Sequence, residues 1–201
     1  MKWLAMNPFD VGYYTEHELR DFGFKSLGSN VLIAKNCTIL GLHNIAIGND
    51  VRIDGYTTIV AGDQGGLTLG SFIHIGGYSL LSAGAGITME DFSGLSQGVR
   101  IYSRTDDYTG RFLTNPTVDP QYTGVTAGPV RLGRHVIIGS GTVILPNLSI
   151  GEGSSVGALS LVSKDLPEWG VYFGTPAKKL KDRKKDLLEL EKDFLASRAA
   201  L

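Results

Sequence analysis

Two carboxylates stand side by side at Asp106 and Asp107, in the stretch "IYSRTDDYTGRF". Paired carboxylates can accept hydrogen bonds from an amine and fix its direction, because charge-assisted hydrogen bonds are stronger than neutral ones. They can equally cap a turn, since an Asp side chain readily bonds backbone N–H groups just ahead of it. Two histidines, His74 and, at an outward position in "GRHVIIG", His135, are further candidates for proton transfer. Cys37 is the one cysteine, and only four histidines are scattered along the chain. A zinc centre needs three or four convergent ligands, so no metal is expected.

These groups need a scaffold, and the composition narrows which one. The 201 residues are the size of one domain. Lys and Arg number 19 against 20 Asp and Glu, which argues against nucleic acid or a membrane surface as the main partner. The start, "MKWLAMNPFDVG", has no signal-peptide core, because Asn7, Pro8 and Asp10 interrupt it. No apolar run approaches a membrane span. With a lone cysteine, expected as a buried small hydrophobe, this suits the cytoplasm. Glycine is abundant, 27 residues, while prolines number only 7, so many tight turns are expected rather than a low-complexity linker.

A repeat explains the glycines. Leu132, Ile138, Ile144, Ile150, Val156 and Val162 recur every sixth position, often followed by glycine, as at Gly133, Gly139, Gly151 and Gly157. The fifth position of the unit is usually small or β-branched: Val136, Thr142, Ser154, Ser160. The first half repeats the theme with slips, through Leu27, Ile33, Ile39 and Ile45, then Ile47, Ile53 and Ile59, then Leu69, Ile75, Leu81 and Ile87, then Met89, Leu95 and Ile101. Period six is wrong for a helix and right for short strands broken by turns. Each unit is too short to bury its own apolar residue, so successive turns must stack, as in hexapeptide β-helices. The expected fold is all-β. The expected divisions are a cap at 1–26, the β-helix at 27–166 and a closing segment and helix at 167–201.

The ends carry helix signals. "TEHE" at 15–18 reads as a capping box that starts a helix of about 16–22, stopped near Gly23. Its role would be to cover the open end of the solenoid, with His17 exposed. Leu187, Leu190 and Phe194 share one stripe of a C-terminal helix. Before it, "GTPAKKLKDRKK" at 174–185 holds six basic residues and one acidic, and by itself reads as a solvated helix start.

Units such as "IGSGTV", "IGEGSS" and "VGALSL" resemble the repeat of the left-handed parallel β-helix, or hexapeptide-repeat, acyltransferases. The resemblance implies three hexads to a triangular coil, so that residues eighteen apart stack, and an acyl-CoA-dependent homotrimer with sites between chains. "GTPAK" is similar to the segment that follows the last coil in such enzymes, which implies that Lys178, Lys179 and Lys181 lie near the phosphates of coenzyme A. It also implies that backbone groups at Ser140 and Ala158 line the thioester tunnel, and that N–H groups near Gly139 polarise the thioester carbonyl.

The ladder stops between Arg104 and Ala127. A structureless loop of that length in a compact domain tends to be functional. In the resembled enzymes such a loop reaches over a neighbouring subunit. Asn115-Pro116 and Asp119-Pro120 would stiffen it, and Tyr108, Phe112 and Tyr122 would anchor it. The galactoside and maltose O-acetyltransferases place a histidine base just after this strand. Here Asp106 stands in that position, and no histidine occurs between Gly77 and Arg134. A hydroxyl needs a base to become a nucleophile; a neutral amine does not.

"DDYTG", "NPTV", "QYTGV", "RHVIIG", "YTEHELRDFGF" and "DLLELEKDFL" resemble a narrower group, the N-acyltransferases of nucleotide-linked 4-amino-4,6-dideoxysugars. That resemblance implies a thymidine-linked amino sugar as acceptor, oriented by Asp106, Asp107 and Tyr108, in surface-polysaccharide biosynthesis. Two other readings stay open: a sugar O-acetyltransferase using His74, His135 or an aspartate as base, and a non-catalytic β-helical scaffold.

Overall fold

The structure, a computed structural model, describes residues 9–199 apart from Asp63. Three parallel sheets wind around one core. The first face stacks Ser26–Leu27, Ile45–Ile47, Leu67–Leu69, Ile87–Met89, Val130–Leu132 and Leu148–Ile150. The second runs Val31–Ile33, Val51–Ile53, Ile73–Ile75, Gly94–Leu95, Ile137–Ile138, Ser155–Val156 and Gly170–Phe173, and ends on an antiparallel strand, Lys178–Asp182. The third stacks Thr38–Leu40, Thr58–Val60, Leu80–Ser82, Arg100–Tyr102, Val143–Ile144 and Leu161–Val162.

The predicted ladder is the core. Leu132, Ile138, Ile144 and Val162 are fully buried, and so are Ile53, Ile75, Leu81 and Ile101 in the earlier coils. Alternation along each short strand sends these side chains inward and leaves their neighbours outward. The small residues before them sit inside the corners. The hydroxyls of Ser79, Ser93 and Ser160 donate to the carbonyls of Gly76, Glu90 and Gly157 at 2.6, 2.6 and 2.8 Å. A buried hydroxyl with a partner costs little, and here it also satisfies a turn carbonyl.

Register shows where the period slips. Ser26 pairs with Ala46, Ile45 with Leu67, Leu67 with Ile87, Ile87 with Val130 and Val130 with Leu148, so successive coils take 20, 22, 20, 43 and 18 residues. Stacking at eighteen therefore holds only after Val130. Earlier coils carry extra corner residues, including the short 3-10 turn Leu42–Asn44. The coil of 43 contains the break in the ladder. Strands Arg104–Thr105 and Thr126–Ala127 pair antiparallel and close its base.

Helix α1, Glu16–Asp21, begins at the expected capping box. Thr15 Oγ1 accepts from Glu18 N, and the Glu18 carboxylate accepts from Thr15 N at 2.6 Å. Leu19, 1% exposed, packs into the core at the open end. Cys37 is half-buried there rather than buried outright, and burial pushes its thiol pKa up.

Helix α2, Leu187–Ala199, docks by only part of the predicted stripe. Leu190 is 67% exposed. The docking residue is Glu191, which pairs with Arg134 and lies 2.8 Å from His135 Nε2. Phe194 sets its ring edge-on against Phe72 and Phe92, which stack on each other along one corner. His135 is therefore buried under α2 and not outward as expected. The basic run is not a helix start either. Lys178–Asp182 pairs with Gly170–Phe173, because an unpaired edge of the second face was available to satisfy its backbone.

Candidate functional site

Gln97, Ser140 and Ala158 occupy equivalent corner positions on three stacked coils, between the second and third faces. Leu159 N donates to Ser140 O at 2.8 Å, and Gly141 N to Gln97 O at 3.0 Å, which fixes the stacking. Among the described residues the N–H groups of Gln97, Ser140 and Ala158 themselves donate to nothing. They form a ladder of free donors with a rise of about 4.8 Å per coil. One coil further on, Phe173 lies over Gly157 and pairs with Lys178. The ladder thus runs toward the lysine strand. Lys179 is tied to Asp182 at 2.7 Å, whereas Lys178 and Lys181 are exposed and form no ion pair among the described residues.

Gly139 has a different place from the one expected. Its own N–H donates to Val156 O at 2.8 Å and is not available to polarise a carbonyl. The free donor beside it is the N–H of Ser140.

A groove of about 470 Å³ opens at the Gln97 end of this ladder, lined among others by His74, Gly94, Ser96, Gln97, Ile137 and Ser140. His74 Nε2 lies 2.8 Å from Asp54 Oδ2, and Asp54 also accepts from Arg52 Nε at 2.7 Å and Tyr13 Oη at 3.0 Å. Burial acts to raise the Asp54 pKa, but the hydrogen bonds from His74, Arg52 and Tyr13 outweigh it and hold the carboxyl below its usual range. The ionised Asp54 can only accept, so Nε2 carries the proton and Nδ1 is the free nitrogen of His74.

A second groove, about 530 Å³, lies at the far end of the third face, under the long loop. Its lining includes Ser82, Arg104, Asp106, Asn115, Pro116 and Val125. The two aspartates differ sharply. Asp107 accepts from Thr109 N and Oγ1 at 3.0 and 2.7 Å, from Arg111 N at 2.9 Å and from Phe112 N at 3.2 Å. Both its oxygens are committed to the turn, which does not fit the expectation that it orients a substrate. Asp106 accepts no hydrogen bond among the described residues and faces the groove. Tyr108 is 89% exposed on the turn outside it.

The four donors, Thr109 foremost, hold the Asp107 carboxyl down at about 2. A depressed folded-state pKa contributes order above the unfolded value of about 3.9. That contribution fades as pH falls toward about 2. The loop is accordingly expected to keep its proteolytic resistance from pH 8 to pH 4, and Asp107→Ala to lose it throughout that range. Limited proteolysis across the range is the check.

His135 lies beneath α2 and lines neither groove, leaving His74 as the histidine that lines one. Ser96 is the residue that sequence reasoning passed over. "GLSQG" reads as one more repeat unit, yet Ser96 sits half-buried in the groove beside Gln97. The described residues contain no cluster of three or more His, Cys, Asp or Glu side chains able to hold a metal, and no helix long and apolar enough to cross a membrane.

A hexapeptide β-helix with a free N–H ladder, a terminal lysine strand and a carboxylate-bearing loop has the form of a hexapeptide-repeat acyltransferase. No family model matches the chain. It is 41% identical over 187 residues to the dTDP-4-amino-4,6-dideoxy-D-glucose acyltransferase of Escherichia coli, covering 93% of this chain and 97% of that one. It superposes with a TM-score of 0.89 on AntD, an N-acyltransferase from Bacillus cereus solved with dTDP and coenzyme A or 3-hydroxybutyryl-CoA, at 42% identity over 94% of this chain and 98–99% of that one. AntD has also been solved as variants substituted at a serine and at an aspartate ten positions further on. A maltose O-acetyltransferase from Clostridium difficile, 24% identical, shares the fold with a TM-score of 0.55 over 85% of this chain and 75% of its own. The chain belongs to the family of dTDP-4-amino-4,6-dideoxyglucose N-acyltransferases.

Proposed function

We propose that this chain transfers an acyl group from coenzyme A to the 4-amino group of a dTDP-linked 4-amino-4,6-dideoxysugar. The observation that carries this reading is the contrast at the break in the ladder: Asp107 is saturated by its own turn, while Asp106 faces a groove with no partner among the described residues. An unpaired carboxylate suits an amine, which can carry positive charge, better than a sugar hydroxyl, which donates a hydrogen bond but stays neutral. The free donors at Gln97, Ser140 and Ala158 suit the amide-bearing arm of coenzyme A, and Lys178 and Lys181 its phosphates.

Ser96 and Asp106 stand ten positions apart, the spacing of the serine and aspartate substituted in AntD. The end-to-end overlap with AntD favours this pair over the other with the same spacing, Ser155 and Asp165. Within one chain Ser96 and Asp106 cannot meet. A coil spends about six residues on each face, so the whole third face separates them, on the order of 15 Å at about 3.3 Å per residue. Both can touch one substrate only if Asp106 of one protomer approaches the ladder of another. We therefore infer a homotrimer whose sites lie between chains, completed by the long loop.

In that site Asp106 accepts from the sugar amine and aims it at the thioester carbonyl. The N–H of Ser140 or Gln97 can receive the developing oxyanion, since a preoriented donor aimed at new negative charge is a large catalytic term. The amine loses its proton as the tetrahedral intermediate collapses, and the departing thiolate can take it. The long loop excludes water that would hydrolyse the thioester. Acyl-CoA and nucleotide sugars are cytoplasmic metabolites, so we place the reaction there. The N-acylated sugar nucleotide suits later transfer into a surface polysaccharide.

The decisive assay offers acetyl-CoA with dTDP-4-amino-4,6-dideoxyglucose and, separately, with a neutral galactoside. Thiol release and an amide-linked product with the amino sugar alone are expected. Release only with the galactoside would reject the reading in favour of O-acylation through His74. No release with either, and no calorimetric binding of coenzyme A, would leave a scaffold.

A further inference from the structure

Of the 27 glycines in this chain, Gly94 alone has no role in shaping the backbone. Every other one either adopts a left-handed φ or sits where an added Cβ would press on a neighbour within 3.4 Å. Gly94 has neither feature. Its φ is ordinary, and an added Cβ would meet His74 O and Ile137 Cδ1 at 3.5 Å, which is plain van der Waals contact. A glycine within a strand weakens it, through lost entropy and an absent side chain. The sequence accepts that cost here without a local return.

Gly94 pairs in register with His74 on one side and Ile137 on the other, with its missing side chain on the outer surface of the second face. The outward positions on neighbouring coils are filled by Arg52, His74, Ile137 and Ser155. The gap is therefore a notch one residue wide. Its end walls spring from strands two steps apart, about 9.6 Å. The notch forms part of the groove that also holds Ser96, Gln97 and Ser140. Phe72, Phe92 and Leu95 give it an apolar lining, and Phe194 of α2 buttresses the two phenylalanines from outside.

Resting on the reading under Proposed function, we propose that this notch receives the acyl chain, and that Gly94 sets how long that chain can be. An arm laid along the free donors of Ala158, Ser140 and Gln97 delivers its thiol end beside Gly94. What extends past the sulfur there is the acyl group, and the surface it meets is apolar, short and closed at one end by His74. The notch accommodates a chain longer than acetyl and ends within a few carbons.

The test is Gly94→Val, a residue that strand geometry accepts, compared with the unaltered protein. Acetyl-CoA, butyryl-CoA and hexanoyl-CoA are offered with the amino sugar, and their binding is measured by calorimetry without it. The unaltered protein should use butyryl-CoA at least as well as acetyl-CoA. Gly94→Val should lower kcat/KM for butyryl-CoA by about tenfold or more, in keeping with the 10- to 200-fold that one methylene is worth in a tight apolar site. Acetyl-CoA should stay within about twofold. Ile137→Ala, which lengthens the notch, should raise use of hexanoyl-CoA. A donor profile unchanged in both variants, or an equal loss for every donor, would overturn the proposal. The calorimetric preference reads the notch whether or not the amino sugar is the true acceptor. Amide formation by the unaltered protein, without any such preference, would sink this inference alone.

Discussion

Asp106→Asn is expected to lower kcat/KM for the amino sugar by about 30- to 150-fold, while coenzyme A binding stays within about twofold. The magnitude follows from the interaction lost. A hydrogen bond to a charged group contributes roughly 1.5–3 kcal/mol, and about 2–3 kcal/mol corresponds to that range of rates. Asparagine keeps the shape and the oxygen acceptor but removes the charge that favours an amine. Steady-state kinetics at saturating acyl-CoA, with coenzyme A calorimetry alongside, would measure both. Complete loss of turnover with unimpaired sugar binding would make Asp106 an obligatory base. An unchanged kcat/KM would remove it from the site. Asp107→Asn should behave differently, since its effect runs through the loop, and should appear together with increased proteolysis between Arg104 and Ala127.

The second large effect is on folding. Gly139→Ala is expected to cost at least about 3 kcal/mol, the range of severe overpacking. An added Cβ there would lie far inside van der Waals contact with the backbone of Ala158, which cannot swing aside as a side-chain tip would. The coil would have to open at the point where Gly139 N donates to Val156 O. For a domain of this size that corresponds to a melting temperature lower by roughly 10 °C. Thermal denaturation is the measurement. Normal melting with lost activity would instead show that Gly139 serves the reaction directly. Gly94→Ala is the internal control, because the same methyl group makes only ordinary van der Waals contact there and should leave the melting temperature nearly unchanged.

The ladder could be read from the chain because burial on a coil repeats in one phase, and Leu132, Ile138 and Ile144 announce it without help. The extra corner residues of the early coils were visible only as slips between Ile45 and Ile47. Their conversion into coils of 20 and 22 needed the register. The capping box at Thr15 and Glu18 is a local device, so local sequence sufficed. Where distant segments compete, sequence misled. The lysine run at 178–182 has helical composition, but the open edge beside Gly170–Phe173 drew it into a strand. His135 looked outward by coil phase, and α2 folds back over it through Glu191. Asp106 and Asp107 are chemically identical in a sequence; only the path of the turn through Thr109, Arg111 and Phe112 separates them. Ser96 carried one usable sign, its ten-residue offset from Asp106, which means little until the coil geometry puts a whole face between the two.

That geometry, with each site shared between two protomers, can be tested by mixing subunits. Asp106→Ala removes the carboxylate of the loop, and Ser140→Trp blocks the N–H ladder; each alone should be nearly inactive. If a site takes its ladder from one protomer and its aspartate from another, trimers co-assembled from equal amounts of the two variants contain some intact sites. About a quarter of the unaltered activity should return. If the ladder and Asp106 of the same chain serve one site, every site in the mixture carries a defect. Activity no higher than the average of the two variants would then show that the sites are not shared between protomers.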